Sequence, residues 1–157
     1  MRFLEKLKKI ESPKDLALLI RIACLAAILP FVVRWITLPN LLSRLSTVAR
    51  TDNFDEKVLR KTILYTNYVL TRRFPLFSNT CLFKSLVLFR FLGEAGLSVT
   101  FNIGVKRGSG NIYAHSWITG RDGKCVGQES SASDFSLIYS LSNESTIEDS
   151  APRRTAH

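Results

Sequence analysis

The fold is decided by residues 81–105, CLFKSLVLFRFLGEAGLSVTFNIGV, where the spacing of apolar residues changes from that of a helix to that of a strand. The first part is apolar on nearly every side of a helix, which predicts a buried helix that ends at Gly93 or Gly96. From Val99 onward apolar and polar residues alternate, which predicts a strand with one face on the core. A buried helix followed directly by a strand therefore forms the centre of the domain.

The residues after this strand predict a small antiparallel sheet, because turn-forming residues separate short apolar runs. The predicted elements are a turn at 107–111, a second strand at 112–119, a turn at 120–123 and a third strand at 124–129. The short apolar run at 135–139 is a candidate edge strand. Together these segments predict a meander of two hairpins.

The residues before the buried helix predict a helical first half. Ser12 and Pro13 are of the types preferred at the N-cap and first position of a helix, and the apolar helix that follows is expected to weaken around Pro30. A second helix is predicted after Pro39, and a third from about residue 52 or 53 to about residue 73. The predicted fold class is therefore α+β, with the buried helix packed on the antiparallel meander.

The 157 residues are enough for one catalytic domain with appendages. Residues 1–52 are predicted to form a helical segment that packs on the core or on a partner, and residues 53–142 the core itself. The polar residues 143–157 predict a disordered tail.

The apolar run at residues 16–36 is long enough to resemble a membrane span. Arg21, Pro30 and Arg34 argue against a span, and the run starts too late for a signal peptide. We expect a helix that packs on the domain or on a partner, with peripheral attachment to a membrane as the alternative.

The composition indicates which class of partner and which cellular compartment to expect. The net charge of +9 fits a nucleic acid, an anionic membrane or an acidic protein, but no nucleic-acid-binding motif is present, so we expect no nucleic-acid partner. Two histidines are too few to suggest a metal site, and we expect no cofactor. Three widely spaced cysteines, Cys24, Cys81 and Cys125, predict reduced thiols in a cytoplasmic protein.

Cys81 is the candidate nucleophile. Thr80 is a good N-cap residue, which places Cys81 in the first helical turn, where unpaired N–H groups and the helix dipole favour an anion. Those N–H groups are also candidates to stabilise the oxyanion formed when an acyl carbon is attacked. The alternative interpretation is an inert buried cysteine, which is how we interpret Cys24 and Cys125.

His115 is the candidate base. It is the one histidine within the predicted core, on a strand that places Trp117 on the same face. A histidine beside a tryptophan is often only a packing residue. A cysteine at a helix start with a histidine on a later strand is nevertheless a recurrent arrangement in thiol catalysis.

The third catalytic position depends on the register of the predicted second hairpin. A four-residue loop at 120–123 pairs Thr119 with Lys124 and sets Gln128 opposite His115, where its side-chain oxygen could orient the imidazole. A two-residue turn at 122–123 would instead set Gln128 opposite Trp117. Glu129 faces away on a regular strand and becomes the rival if a bulge intervenes.

A series of motifs resembles one known family, the leader peptidases of lasso peptide biosynthesis in their stand-alone form (the B proteins). These are transglutaminase-like cysteine proteases. The motifs occur in the family's order and spacing over residues 74–129. They read PLFSNTCLFKSL, LGEAGL, IGV, AHSWI and GKCVGQE.

The resemblance implies a papain-like or transglutaminase-like core with Cys81 as nucleophile, His115 as base and Gln128 at the third position, where relatives usually have an acid. Thr80 and Trp117 are supporting candidates near the oxyanion or pocket. The implied reaction is hydrolysis of one peptide bond, which removes the leader from a ribosomally made precursor. The implied partners are the precursor peptide, a separate leader-recognition protein and an ATP-dependent lasso cyclase.

Two alternative functions involve the same residues. The first is a non-catalytic module that binds peptide or scaffolds the cyclase, which is compatible with Gln128 in place of an acid. The second is acyl transfer to an amine, as in true transglutaminases.

Overall fold

The computed structural model describes residues 12–47, 56–71, 80–127 and 134–144. Within these residues four helices precede three strands, and the α+β class is confirmed. The helices are α1 (Pro13–Trp35), α2 (Leu38–Leu45), α3 (Glu56–Thr71) and α4 (Thr80–Glu94). The strands are β1 (Val99–Arg107), β2 (Ile112–Gly120) and β3 (Ser136–Ser142).

α1 begins as the sequence predicts but does not weaken at Pro30. The Ser12 side chain accepts a hydrogen bond from the Lys14 N–H, and Pro13 opens the helix. Pro30 lies inside a helix that continues to Trp35, so the expected weakening is wrong. Pro30 removes one backbone hydrogen bond, but the neighbouring Leu29 is buried in the core, and this packing supports the helix across the proline.

The core is built around α4. Leu86, Val87, Leu88 and Phe89 are each fully buried, which confirms the predicted buried helix. α1, α2 and α3 contact α4, as do β1 and β2. The Phe89 ring meets the Phe101 ring of β1 edge to face, with centroids 6.1 Å apart.

The end of α4 is a glycine cap. Gly96 has a positive φ of 87°, which glycine adopts without a steric penalty. The Leu97 N–H donates to the Leu92 carbonyl at 3.0 Å, and the Gly96 N–H donates to the Gly93 carbonyl at 3.0 Å. This is the Schellman pattern, and it turns the chain directly into β1.

The sheet is antiparallel with the order β2-β1-β3, so β1 is central and the predicted meander is wrong. The first hairpin is confirmed, with Arg107 paired to Ile112 across the predicted glycine-rich turn. The apolar run near residue 135 does supply an edge strand, because β3 pairs with β1 from Val105 to Thr100.

The third strand predicted at 124–129 is wrong over its described part. Residues 124–127 form a single bridge, between Thr119 and Cys125. Gly127 then has a φ of 70°, a left-handed conformation that ends extended pairing. A side chain there would lie 3.3 Å from Ile63 and Leu88, so the chain turns down onto the helical core.

Asn143 joins the end of β3 to the centre of the domain. Its side chain accepts a hydrogen bond from the Val99 N–H at 3.0 Å and donates one to the Leu97 carbonyl at 2.8 Å. Its carbonyl accepts a hydrogen bond from the Ser46 hydroxyl at 3.3 Å. The first residue of the predicted disordered tail is therefore fully buried, and residues 145–157 lie outside the described part of the chain.

Replacing Asn143 with Ala should lower the free energy of unfolding by about 2–4 kcal/mol, because it leaves the Val99 N–H and the Leu97 carbonyl without these bonds. Urea denaturation measures the change. Glu144→Ala, at an exposed neighbouring position, is the control and should change stability little. Equal stability of the two variants would contradict the role of Asn143.

Candidate active site

Cys81 lies in the first turn of α4 and is half-buried. The described part of α4 begins at Thr80. Residue 79 and the Thr80 side chain lie outside the described part of the structure, so the Thr80 cap stays a prediction. The N–H groups of a first helical turn have no acceptor within the helix, so the expectation for Cys81 is unchanged.

His115 lies on β2 within a group of three aromatic rings. Its imidazole is nearly parallel to the Trp117 indole, with ring centroids 6.0 Å apart and planes at 18°. The Phe135 ring, from the residue before β3, lies 5.2 Å from the imidazole. Trp117 and Phe135 also face each other, with centroids 6.5 Å apart. The imidazole therefore packs against one ring of its own strand and one ring 20 residues later in the sequence.

Gly104 makes this aromatic group possible. It pairs with His115 across the β1–β2 ladder. A Cβ atom at Gly104 would lie 2.8 Å from the Trp117 ring and 2.9 Å from the Phe135 side chain. The register between β1 and β3 also shifts next to Gly104. The absence of a side chain thus lets the Trp117 ring and the Phe135 Cβ approach β1.

The aromatic group lies on one particular face of the sheet. Strand alternation places His115 and Trp117 on the face opposite Phe101 and Ile118, which belong to the core with α4. β2 is an outer strand of the sheet and contacts α4 directly. The aromatic group around His115 is therefore on an outer strand, on the face of the sheet away from the core.

Burial lowers the pKa of His115, and the Lys84 ammonium lowers this pKa further. Lys84 follows Cys81 by three residues, so the two side chains lie on the same side of α4. The charge that acts on His115 therefore comes from one turn beyond Cys81. This connects the start of α4 electrostatically to the imidazole.

The observed strand register does not decide between Gln128 and Glu129 as the third catalytic residue. Thr119 pairs with Cys125 rather than with Lys124, so neither predicted turn is correct. Five residues, 120–124, lie between these two bridge partners, and within them the Gly120 N–H donates to the Lys124 carbonyl at 2.9 Å. Gln128 and Glu129 lie outside the described residues.

A sequence model of the transglutaminase-like superfamily matches residues 19–140, from within α1 to within β3. The chain belongs to the transglutaminase-like superfamily. The match includes Cys81 and His115, and cysteine peptidase activity is common among transglutaminase-like domains. No curated protein and no solved structure matches the chain.

The protonation state of His115 determines whether its imidazole can accept a proton. A lowered pKa keeps the imidazole neutral at pH 7, and a neutral imidazole can accept a proton. A half-buried thiol in a helix's first turn has the position of a nucleophile. No group of residues that could hold a metal ion occurs in the described part of the chain.

Sequence reasoning missed two residues of the site, Phe135 and Lys84. Phe135 was expected only as part of an edge strand, and its approach to His115 depends on how β3 pairs with β1. Lys84 had a visible signal, because it is one of the few polar residues of α4 and lies one turn from Cys81. The contact of Trp117 with His115 agrees with their expected place on one strand face.

Proton NMR titration of the His115 imidazole tests the effect of the Lys84 charge on its pKa. His157 is the only other histidine in the sequence, and His157→Gln removes its signal. In that background we expect His115 to titrate below the ordinary histidine pKa. Lys84→Gln should raise the pKa of His115, because it removes a nearby positive charge. Lys124→Gln, at an exposed lysine, is the control; equal midpoints in both variants would contradict the assignment.

Proposed function

We propose that this chain is a cysteine peptidase, a hydrolase that removes the leader from a ribosomally synthesised lasso peptide precursor. The observation that carries the proposal is Cys81 in the first turn of the buried helix of a transglutaminase-like domain. The series of motifs between residues 74 and 129 supports the lasso assignment, because it resembles that of the stand-alone leader peptidases.

In the proposed reaction, the Cys81 sulfur attacks the carbonyl carbon of the scissile peptide bond while His115 accepts the thiol proton. The N–H groups of the first turn of α4 stabilise the oxyanion. The peptide C–N bond breaks, His115 donates the proton to the leaving amine, and a thioester to Cys81 remains. Water then attacks the thioester with His115 as base, which releases the carboxylate and regenerates the thiol.

Gln128 is the proposed third member of the site. Its side-chain oxygen would accept a hydrogen bond from the imidazole and fix the orientation of the ring, as an amide does in papain-like proteases. A neutral amide stabilises an imidazolium less than a carboxylate does, and Glu129 is the rival for this role. Thr80 and Trp117 are proposed to support the oxyanion region and the pocket.

The proposed partners follow from the same assignment. The precursor peptide is the substrate, a separate leader-recognition protein delivers it, and an ATP-dependent cyclase then closes the lasso ring. We propose that these steps occur in the cytoplasm, which agrees with three cysteines that are free thiols.

Cys81→Ala should abolish cleavage of a precursor supplied together with its recognition protein, because no thioester can form. Mass spectrometry of the released leader measures cleavage. Cys125→Ala is the matched control, since Cys125 is also a half-buried free thiol, and it should retain cleavage. Undiminished cleavage by Cys81→Ala would overturn the peptidase assignment.

The second candidate function is a non-catalytic module that binds peptide or scaffolds the cyclase, and it is favoured by Gln128 where relatives have an acid. If the chain is a peptidase, iodoacetamide should alkylate Cys81 at a pH well below the ordinary cysteine pKa of about 8.5. Exposed Cys24 in the same chain is the internal control, read by peptide mapping. If Cys81 reacts no faster than Cys24 at low pH, the binding module becomes the better assignment.

Product analysis distinguishes hydrolysis from transfer of the acyl group to an amine. Cleavage in the presence of a primary amine gives a free carboxylate in a hydrolase and an amide in a transferase.

A further inference from the structure

α1 carries a continuous exposed apolar stripe. Its large members are Leu16 (47% exposed), Ile20 (53%), Ile28 (54%), Phe31 (66%) and Trp35 (85%). They recur every three or four residues with exposed Cys24 between them, so they lie along one side of the helix. At 1.5 Å per residue the stripe is about 28 Å long.

The opposite side of α1 is fixed to the domain. Ile22, Ala26 and Leu29 are at most 1% exposed within the core. Two ion pairs add to this packing, one between Asp15 and Lys61 at 2.7 Å and one between Arg21 and Glu94 at 2.7 Å. α1 is long and apolar enough to cross a membrane. A helix packed along one side of a folded domain instead presents only its other side to a lipid surface.

The exposed charges that α1 itself carries are of one sign. They are all cationic, namely Lys14, Arg21 and Arg34, and of these Arg21 is paired with Glu94 of α4. The single acid of α1, Asp15, is buried and paired with Lys61. In the sequence before α1, basic residues outnumber acidic ones, and the whole chain has a net charge of +9.

This charge pattern selects the partner. A second copy docked through the same stripe would bring two cationic rims together, which opposes association. An anionic lipid surface complements the rim, and its acyl region accepts the apolar side chains. Trp35 and Phe31 flank Arg34 at one end, an aromatic and cationic combination suited to lipid headgroups.

We propose that the exposed stripe of α1 docks the protein in the plane of an anionic phospholipid membrane. An interfacial helix usually turns a polar face to water. In this protein the folded domain covers that side of α1, and the membrane would cover the exposed stripe. The proposed peptidase site includes His115 of β2, and membrane docking does not require that site to be active.

Flotation of the full-length protein with phospholipid vesicles tests the proposal. We expect binding to vesicles that combine phosphatidylcholine with about one third phosphatidylglycerol, weak binding to phosphatidylcholine alone, and loss of binding as salt is raised. Emission from Trp35 should shift to shorter wavelength on binding, while buried Trp117 contributes little change.

The double substitution Phe31→Ser and Trp35→Ser should weaken vesicle binding by about tenfold or more, because it removes apolar area from the stripe without adding charge. Both side chains are exposed, so folding, checked by urea denaturation, should be unaffected. The matched control is Ile112→Ser with Ile138→Ser, which removes two exposed side chains of the sheet.

Three results would overturn the proposal. One is the absence of binding to anionic vesicles, and another is equal binding by the stripe variant and the control. The third is a lipid-free dimer, seen by sedimentation velocity, that the stripe variant alone dissociates. Cleavage without vesicles is measured separately, so failure of membrane docking is distinguished from failure of the peptidase assignment.

Discussion

The burial of α4 on every side is the constraint on which the rest of the structure depends. Leu86, Val87, Leu88 and Phe89 are consecutive and fully buried, and consecutive helical residues point about 100° apart. Only cover from all directions can remove them from water, and α1, α2, α3 and the sheet supply it. The first turn, with half-buried Cys81, is where this helix offers both unsatisfied N–H groups and access to a substrate.

Elements specified by local sequence could be predicted, and those specified by distant contacts could not. The change of period near Val99 and the glycine-rich turn after Arg107 are local signals, and the helix and hairpin they predicted are present. Of the strand predicted at 124–129, residues 124–127 are not a strand, because Gly127 adopts a positive φ where the chain packs on α3 and α4. The local composition predicts a polar tail from Asn143 onward, because the residues that Asn143 bonds, Val99 and Leu97, lie 44 and 46 positions earlier.

The residues of the candidate site also divide into those that local sequence predicts and those that depend on distant contacts. The place of Cys81 in a first helical turn and that of Trp117 beside His115 depend on spacings of a few residues, so the sequence could predict them. Phe135 reaches the imidazole because β3 pairs with β1 and Gly104 leaves room for the Phe135 Cβ. The third position was derived from a hairpin register, and a register that differs by one residue removes the basis for choosing Gln128 over Glu129.

The charge of Lys84 acts in the same way on both halves of the proposed reaction. In each half His115 begins neutral and takes a proton, from the thiol in the first half and from water in the second. Burial and Lys84 both lower the pKa of His115 and so favour the neutral form at pH 7. The same charge opposes the imidazolium that each proton transfer forms. In the proposed mechanism, Lys84 therefore keeps His115 in the form that accepts a proton, and makes the imidazolium a better acid toward the leaving amine and the departing thiolate.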